Sequence, residues 1–285
     1  MEVSYLCSVE NVPKFRKAAL VLAHPGHELK VFGWMCEHAP RIYILTDGSG
    51  GKASRLRSSQ KLLNLAHASQ GEIFGQLSDV DMYQAIVGQK IPTFLRLLTW
   101  LSNSLVEQSI DFVAGDAVEG FNPSHDLCRE LLNAAVLMAE RTTGAPIANY
   151  EFCLTEWEQH CQEVHDDRCL HLRLEDSLLH KKLTAAAGYA ELKAEVEQAI
   201  AAKGQEYFRV ECMKKVAEPF PELSSSTKPY YETFGAQRVA ERKYASVIRY
   251  EQHMLPIIWA IREHALTSKK PMGLGRVLSA VAGHF

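Results

Sequence analysis

The chain has 285 residues, 47% of them apolar and 23% charged, with a formal net charge of −3 at pH 7. That is an ordinary globular composition, and its balance of charge excludes a basic face of the kind that binds nucleic-acid phosphates or an anionic membrane. No run of about 18 apolar residues occurs, which excludes a membrane-spanning helix. The opening Met1–Lys17 lacks the apolar centre of a secretory signal. An odd number of cysteines, seven, in a long chain reads as reduced thiols in a cytoplasmic protein.

From Ala18 onward, short apolar runs alternate with amphipathic stretches. The runs Ala18–Ala23, Arg41–Thr46, Glu72–Gly75, Asp111–Gly115 and Ile147–Phe152 suit strands buried on both faces. Between them Glu28–Glu37, Leu56–Ala68, Ile91–Leu105 and Leu127–Arg141 carry apolar residues at helical spacing. This β-α alternation predicts an α/β fold, a mostly parallel sheet between two helical layers. Ligands then sit beyond the carboxyl ends of the strands. Further on, Leu172–Lys203 reads as one long helix, a break follows from Pro219 to Pro229, and Thr233–Ala265 reads as a helix kinked at Pro256. The chain therefore divides into a core over residues 16–170 and a mostly helical extension over 171–285.

Two histidines, His24 and His27, stand where the first strand hands over to a helix, in Ala23-His24-Pro25-Gly26-His27-Glu28. A third, His125, follows the fourth strand in Asn122-Pro123-Ser124-His125-Asp126. Imidazole is the commonest metal ligand, and three at two strand ends make an open metal site. Helix capping by the first pair and a surface role for the third is the plainer alternative. A carboxylate must take the proton of an activated water. Glu119, on the loop before His125, is preferred, with Glu28 and Asp126 as the other candidates, Asp126 also suiting a partner that orients a histidine ring. The second strand runs into Thr46-Asp47-Gly48-Ser49-Gly50-Gly51, whose glycines permit close approach to a ligand.

These segments resemble, in order, motifs of the PIG-L/LmbE family of zinc-dependent N-deacetylases. Ala23–Glu28 is similar to the family's Ala-His-Pro-Asp-Asp-Glu, Thr46-Asp47-Gly48 to its Thr-Asp/Asn-Gly, and Arg57-Ser58-Ser59-Gln60 in part to its Arg-x-x-Glu. Asn122–His125 matches its His-Pro-Asp-His in two positions of four. The resemblance implies a Rossmann-like fold with His24, His27 and His125 holding zinc or another divalent metal. It implies a hydrolase that removes an acetyl or other acyl group from the nitrogen of an amino sugar or its conjugate, through a metal-activated water. Arg57, Asp81, Asp47 and Asn122 then become substrate contacts. Gly26 stands where the family has its general base, and Asn122 where it has a second histidine.

Two other readings compete. His24-Pro25-Gly26-His27 also looks like the His-x-Gly-His signature of nucleotidyltransferases, with Ser224–Lys228 as a faint second motif. Loss of both proton-handling groups would instead leave a non-catalytic metal- or sugar-binding protein. The cluster His160, Cys161, His165, Cys169 and His171 lacks a Cys-x-x-Cys pair and reads as a solvated turn rather than a structural zinc site. Arg249–His253 reads as a polar helix face. The expected partner is a small-molecule amino sugar, without nucleic acid or a membrane span. Association into a homo-oligomer is left open.

Overall fold

The five apolar runs become parallel strands, the inner ones burying nearly all their residues and the third, at the edge of the sheet, leaving several side chains exposed. They are β1 (Ala18–Leu22), β2 (Arg41–Thr46), β3 (Ser69–Leu77), β4 (Phe112–Asp116) and β5 (Ala148–Phe152). The computed structural model describes residues 17–50, 52–155, 168–221 and 228–268. Two more strands, β6 (Cys169–Arg173) and β7 (Val210–Lys215), complete a seven-stranded sheet in the order β3-β2-β1-β4-β5-β7-β6. β7 runs antiparallel to β5 and β6, and the other pairings are parallel. Strand order reverses between β1 and β4, so the loops leaving these two strands open into one crevice at the carboxyl edge.

The helices are α1 (Phe32–His38), entered through a tight turn at His27–Val31, then α2 (Leu56–Leu65), α3 (Asp79–Val87), α4 (Ile91–Glu107) and α5 (Pro123–Thr143). After β6 come α6 (Asp176–Ala187), α7 (Lys193–Lys203), α8 (Tyr230–Ala240) and α9 (Leu255–Thr267). Alternation along β1 separates two cores. Ala19 and Val21 join the cluster under α3, α4, α5 and α9, while Leu20 and Leu22 join the cluster under α1, α2 and α6.

One buried contact between the later and earlier parts of the chain centres on Glu211. Glu211 on β7 accepts from the backbone N–H groups of Gly33 (2.8 Å) and Trp34 (2.9 Å), and pairs with Lys182 Nζ at 2.8 Å. The first-turn donors of α1, which no helical carbonyl can satisfy, thus meet a carboxylate at the positive end of the helix dipole.

Several expectations are corrected. The segment 172–203 is not one helix: Leu172 lies on β6, and Gly188 and Tyr189 separate α6 from α7. The stretch 233–265 is α8 and α9 with irregular chain and a π turn at Tyr250–Met254 between them, and Pro256 sits in the first turn of α9, where its missing N–H costs nothing. Alongside its helices, the extension expected to be mostly helical adds β7 and the end of β6 to the sheet. Cys169 and His171 lie on β6 rather than in a turn, while His160, Cys161 and His165 fall outside the described residues. Cys212 is disulfide-bonded, so the seven cysteines are not all thiols. Among the described residues no helix is long and apolar enough to cross a membrane.

Candidate active site

The loop after β1 and the start of α5 bring the three histidines together. Their ring centroids are 5.4 Å apart for His24 and His27, 5.1 Å for His24 and His125, and 4.6 Å for His27 and His125. Three imidazoles bound tetrahedrally to one zinc at about 2.0–2.1 Å would place their centroids roughly 5 Å apart. The triangle has that size.

Two of the rings are fixed from behind. His24 Nδ1 lies 2.7 Å from Thr46 Oγ1 and 3.1 Å from Asp79 Oδ1. A carboxylate can only accept here, so Nδ1 carries the proton and Nε2 keeps its lone pair. Burial works against ionisation of Asp79, but the hydrogen bond and charge of His24 outweigh it and hold the carboxyl well below its ordinary range. His27 Nδ1 donates to Asp116, 2.9 and 3.0 Å from its two oxygens. Asp116 is fully buried, which opposes its charge. The charge and hydrogen bond of His27, with the Ala23 N–H at 2.7 Å, still bring it down to about 2. Arg129 fixes the backbone beneath it, donating from Nε to the Asp116 carbonyl at 2.6 Å.

His125 is held differently. Its Nδ1 is buried and has no hydrogen-bond partner among the described residues. Burial, and then the neighbouring His27 and His24, push its pKa down to about 2, so the ring is neutral. An orphaned nitrogen on a neutral imidazole, beside two rings whose Nδ1 atoms are held by aspartates and of which His24 Nε2 meets only the Asn122 amide at 3.5 Å, suits a divalent metal.

A different trio, Cys169, His171 and Cys212, has candidate ligand atoms all within 4.8 Å of one another. His171 and Cys212 are simply opposite each other across β6 and β7, and Cys212 is disulfide-bonded, so it offers no thiolate.

Gly26 lies between the first two histidines at φ 107°, a conformation that side chains rarely adopt. A Cβ there would lie 2.5 Å from Leu192 Cδ1. No carboxylate fits at this position without displacing Leu192.

Two cavities flank the triangle. One, of about 370 Å³, lies beside His24 and is walled by aromatic side chains, among them Tyr83, Phe121, Tyr230, Tyr231 and Phe234. Phe121 and Tyr230 stack with planes 2° apart and centroids 5.2 Å apart. The other, of about 480 Å³, lies beside His27 and His125 and is mainly aliphatic.

No family model matches the chain, and no curated protein matches it by sequence. Among solved structures, it is similar to the deacetylase of the A40926 pseudoaglycone, with 14% identity, 72% of this chain and 99% of that chain covered, and a TM-score of 0.49. It is also similar to a deacetylase triple mutant of the teicoplanin biosynthetic pathway, with 10% identity, 71% and 99% coverage, and a TM-score of 0.47. A zinc-inhibited form of teicoplanin deacetylase shows 9% identity, 71% and 100% coverage, and a TM-score of 0.43.

The other expected site residues are distributed as follows. Glu119 has both carboxylate oxygens engaged, accepting from the N–H groups of Leu154 (2.9 Å) and Thr155 (2.8 Å) and from Thr155 Oγ1 (2.5 Å). Glu28 is fully buried, accepting from Gly26 N and Ser59 Oγ, and burial raises its pKa. Asp126 accepts through Oδ1 from the N–H groups of Glu119 and Gly120, both at 3.2 Å. Burial pushes it up to about 7. Asn122 caps α5, accepting from Ser124 N at 2.8 Å, and its Nδ2 lies 3.5 Å from His24 Nε2. Asp47 braces its loop, accepting from Ser49 N and Asp79 N. Asp81 is spent in a capping box with Ser78 at the start of α3. Arg57 is exposed on α2, whereas Arg55, two residues earlier, lines the aliphatic cavity. Sequence reasoning chose Asp81 rather than Asp79 from the Asp79-Val80-Asp81 segment, and passed over Asp116 and Tyr231. The last has a buried hydroxyl without a partner among the described residues, beside the aromatic cavity. Only the position of Asp116 at the end of an apolar strand signalled it.

Proposed function

We propose that the protein is a metal-dependent N-deacylase, with His24, His27 and His125 holding one divalent ion, zinc by preference. The observation that carries this reading is the convergence of three imidazoles at the strand-order reversal, two of them aligned by buried aspartates. Bound there, such an ion supplies a Lewis acid for an amide carbonyl and lowers the pKa of water. Asp79 and Asp116 keep the two first rings in the ligating tautomer. Asn122, beside His24, offers an amide donor at the mouth of the aromatic cavity. Glu119 is saturated by residues 154 and 155 and ties the loop before α5 to the end of β5. The carboxylate assigned to proton exchange is therefore Asp126, which follows His125 and makes both its hydrogen bonds through Oδ1.

By resemblance to the PIG-L/LmbE family, the substrate is an N-acylated amino sugar or a conjugate of one. The aromatic cavity supports this, since stacked rings bind the apolar face of a sugar while hydroxyls such as that of Tyr231 reach its polar edge. The nucleotidyltransferase reading has no role for His125, and Ser224–Thr227 of its second motif lie outside the described residues. The test is release of free amine from a panel of N-acetylated amino sugars by the zinc-loaded protein. Turnover that disappears with a chelator and returns with zinc is the expected result. Bound zinc with no turnover on any member would leave the non-catalytic binding protein.

A further inference from the structure

The aliphatic cavity beside His27 and His125 is too large for the small acyl group of an acetamide. At about 480 Å³ it belongs to the range that receives whole small ligands, roughly 300–1,000 Å³. Its walls include Leu29, Leu183, Leu192, Val196 and Ile200. Most of these come from α6, α7 and the turn between them, so the later part of the chain builds this groove against the histidine loop. Leu192, which occupies the space above Gly26, forms part of it.

The charges lining the groove are mostly positive. Lys30, Arg55 and Lys182 line it, with Glu195 as the acid among them. Lys182 is paired with Glu211, and Lys30 feels the charge of Glu119 as well as that of Lys182. An apolar channel lined by three cations and one acid suits an anionic amphiphile, and a carboxylate on an alkyl chain is one.

On the reading of this site as an N-deacylase, we propose that the groove receives a long alkyl chain on the acyl side of the amide, so that the group removed is a fatty acyl group rather than acetyl. Water adds its oxygen to the acyl carbon, the C–N bond breaks, and the nitrogen leaves as the free amine after taking a proton. The other product is a fatty carboxylate, formed beside the histidines with its chain in the groove and its charge near Lys30 and Arg55.

The experiment is a series of N-acyl glucosamines, acetyl, butanoyl, octanoyl and decanoyl, with the zinc-loaded full chain. Complete burial of a methylene is worth up to about fourfold in binding. A groove open on one side should give about twofold per methylene, or about 60-fold in kcat/KM from acetyl to octanoyl. Ala199→Trp, which narrows the groove from α7, should bring the octanoyl-to-acetyl ratio close to one. A flat series, or one led by acetyl, overturns the proposal and leaves the deacylase reading standing. Hydrolysis of no member overturns the deacylase reading. Calorimetry with decanoate then decides the groove by itself: micromolar-range binding weakened at least tenfold in Ala199→Trp supports it, and binding no tighter than that of acetate refutes it.

Discussion

Replacing Asp116 by Asn separates charge from shape at the back of the site. The carboxylate is fully buried, accepts from His27 Nδ1 and Ala23 N, and is held at about 2 against an ordinary 3.8. That difference corresponds to about 2–3 kcal/mol of stability in the metal-free protein. Because the folded value lies below the unfolded one, this stability is complete above about pH 4 and is lost as pH falls toward 2. Urea unfolding of chelator-treated protein should therefore show Asp116→Asn less stable by about 2–3 kcal/mol at pH 7, with the gap closing below pH 4. The same variant should bind zinc about 10- to 100-fold more weakly, since His27 loses the partner that fixes its tautomer. Equal stability at pH 7, or a gap of constant size down to pH 2–3, would refute the reasoning.

Other expected outcomes follow from the same contacts. His125→Ala should abolish tight zinc retention while circular dichroism stays that of the folded protein; full retention would remove His125 from the ligand set. Asp126→Asn should lower turnover by about 100-fold or more, and Glu119→Gln by far less, because its carboxylate serves residues 154 and 155; the reverse order in steady-state assays would return the proton-exchange role to Glu119. Glu211→Ala leaves Lys182 buried without its partner and strips two donors of α1, and should cost about 3–5 kcal/mol in urea unfolding. A loss below about 1 kcal/mol would show that the sheet extension is held by other means.

The parallel core was legible because its signal is local. A strand buried on both faces must be apolar throughout, and β1, β2 and β4 are so apart from their end residues. β7 was not legible: Val210–Lys215 is short and carries Glu211, Lys214 and Lys215, and its place beside β5 depends on partners far away in the chain. The long-helix reading of 172–203 failed because leucines at positions 172 and 174 belong to β6 and its exit, yet fall in phase with those of α6. At the site the histidines were legible, since loop residues at strand ends point into the crevice whatever the rest of the chain does. Their anchors were not. Asp79 lies 55 residues from His24 and Asp116 lies 89 from His27, and nothing in their own neighbourhoods marks either as facing a ring. The choice of Arg57 over Arg55 is a matter of helical phase, for α2 begins at Leu56 and turns Arg57 outward.

X-ray absorption at the zinc edge of the reconstituted protein is the most direct test. One ion per chain in a nitrogen and oxygen shell at about 2.0–2.1 Å, with the outer scattering of three imidazoles, is the result expected of His24, His27 and His125. A sulfur shell at about 2.3 Å would move the ion onto cysteine thiolates and contradict the histidine centre.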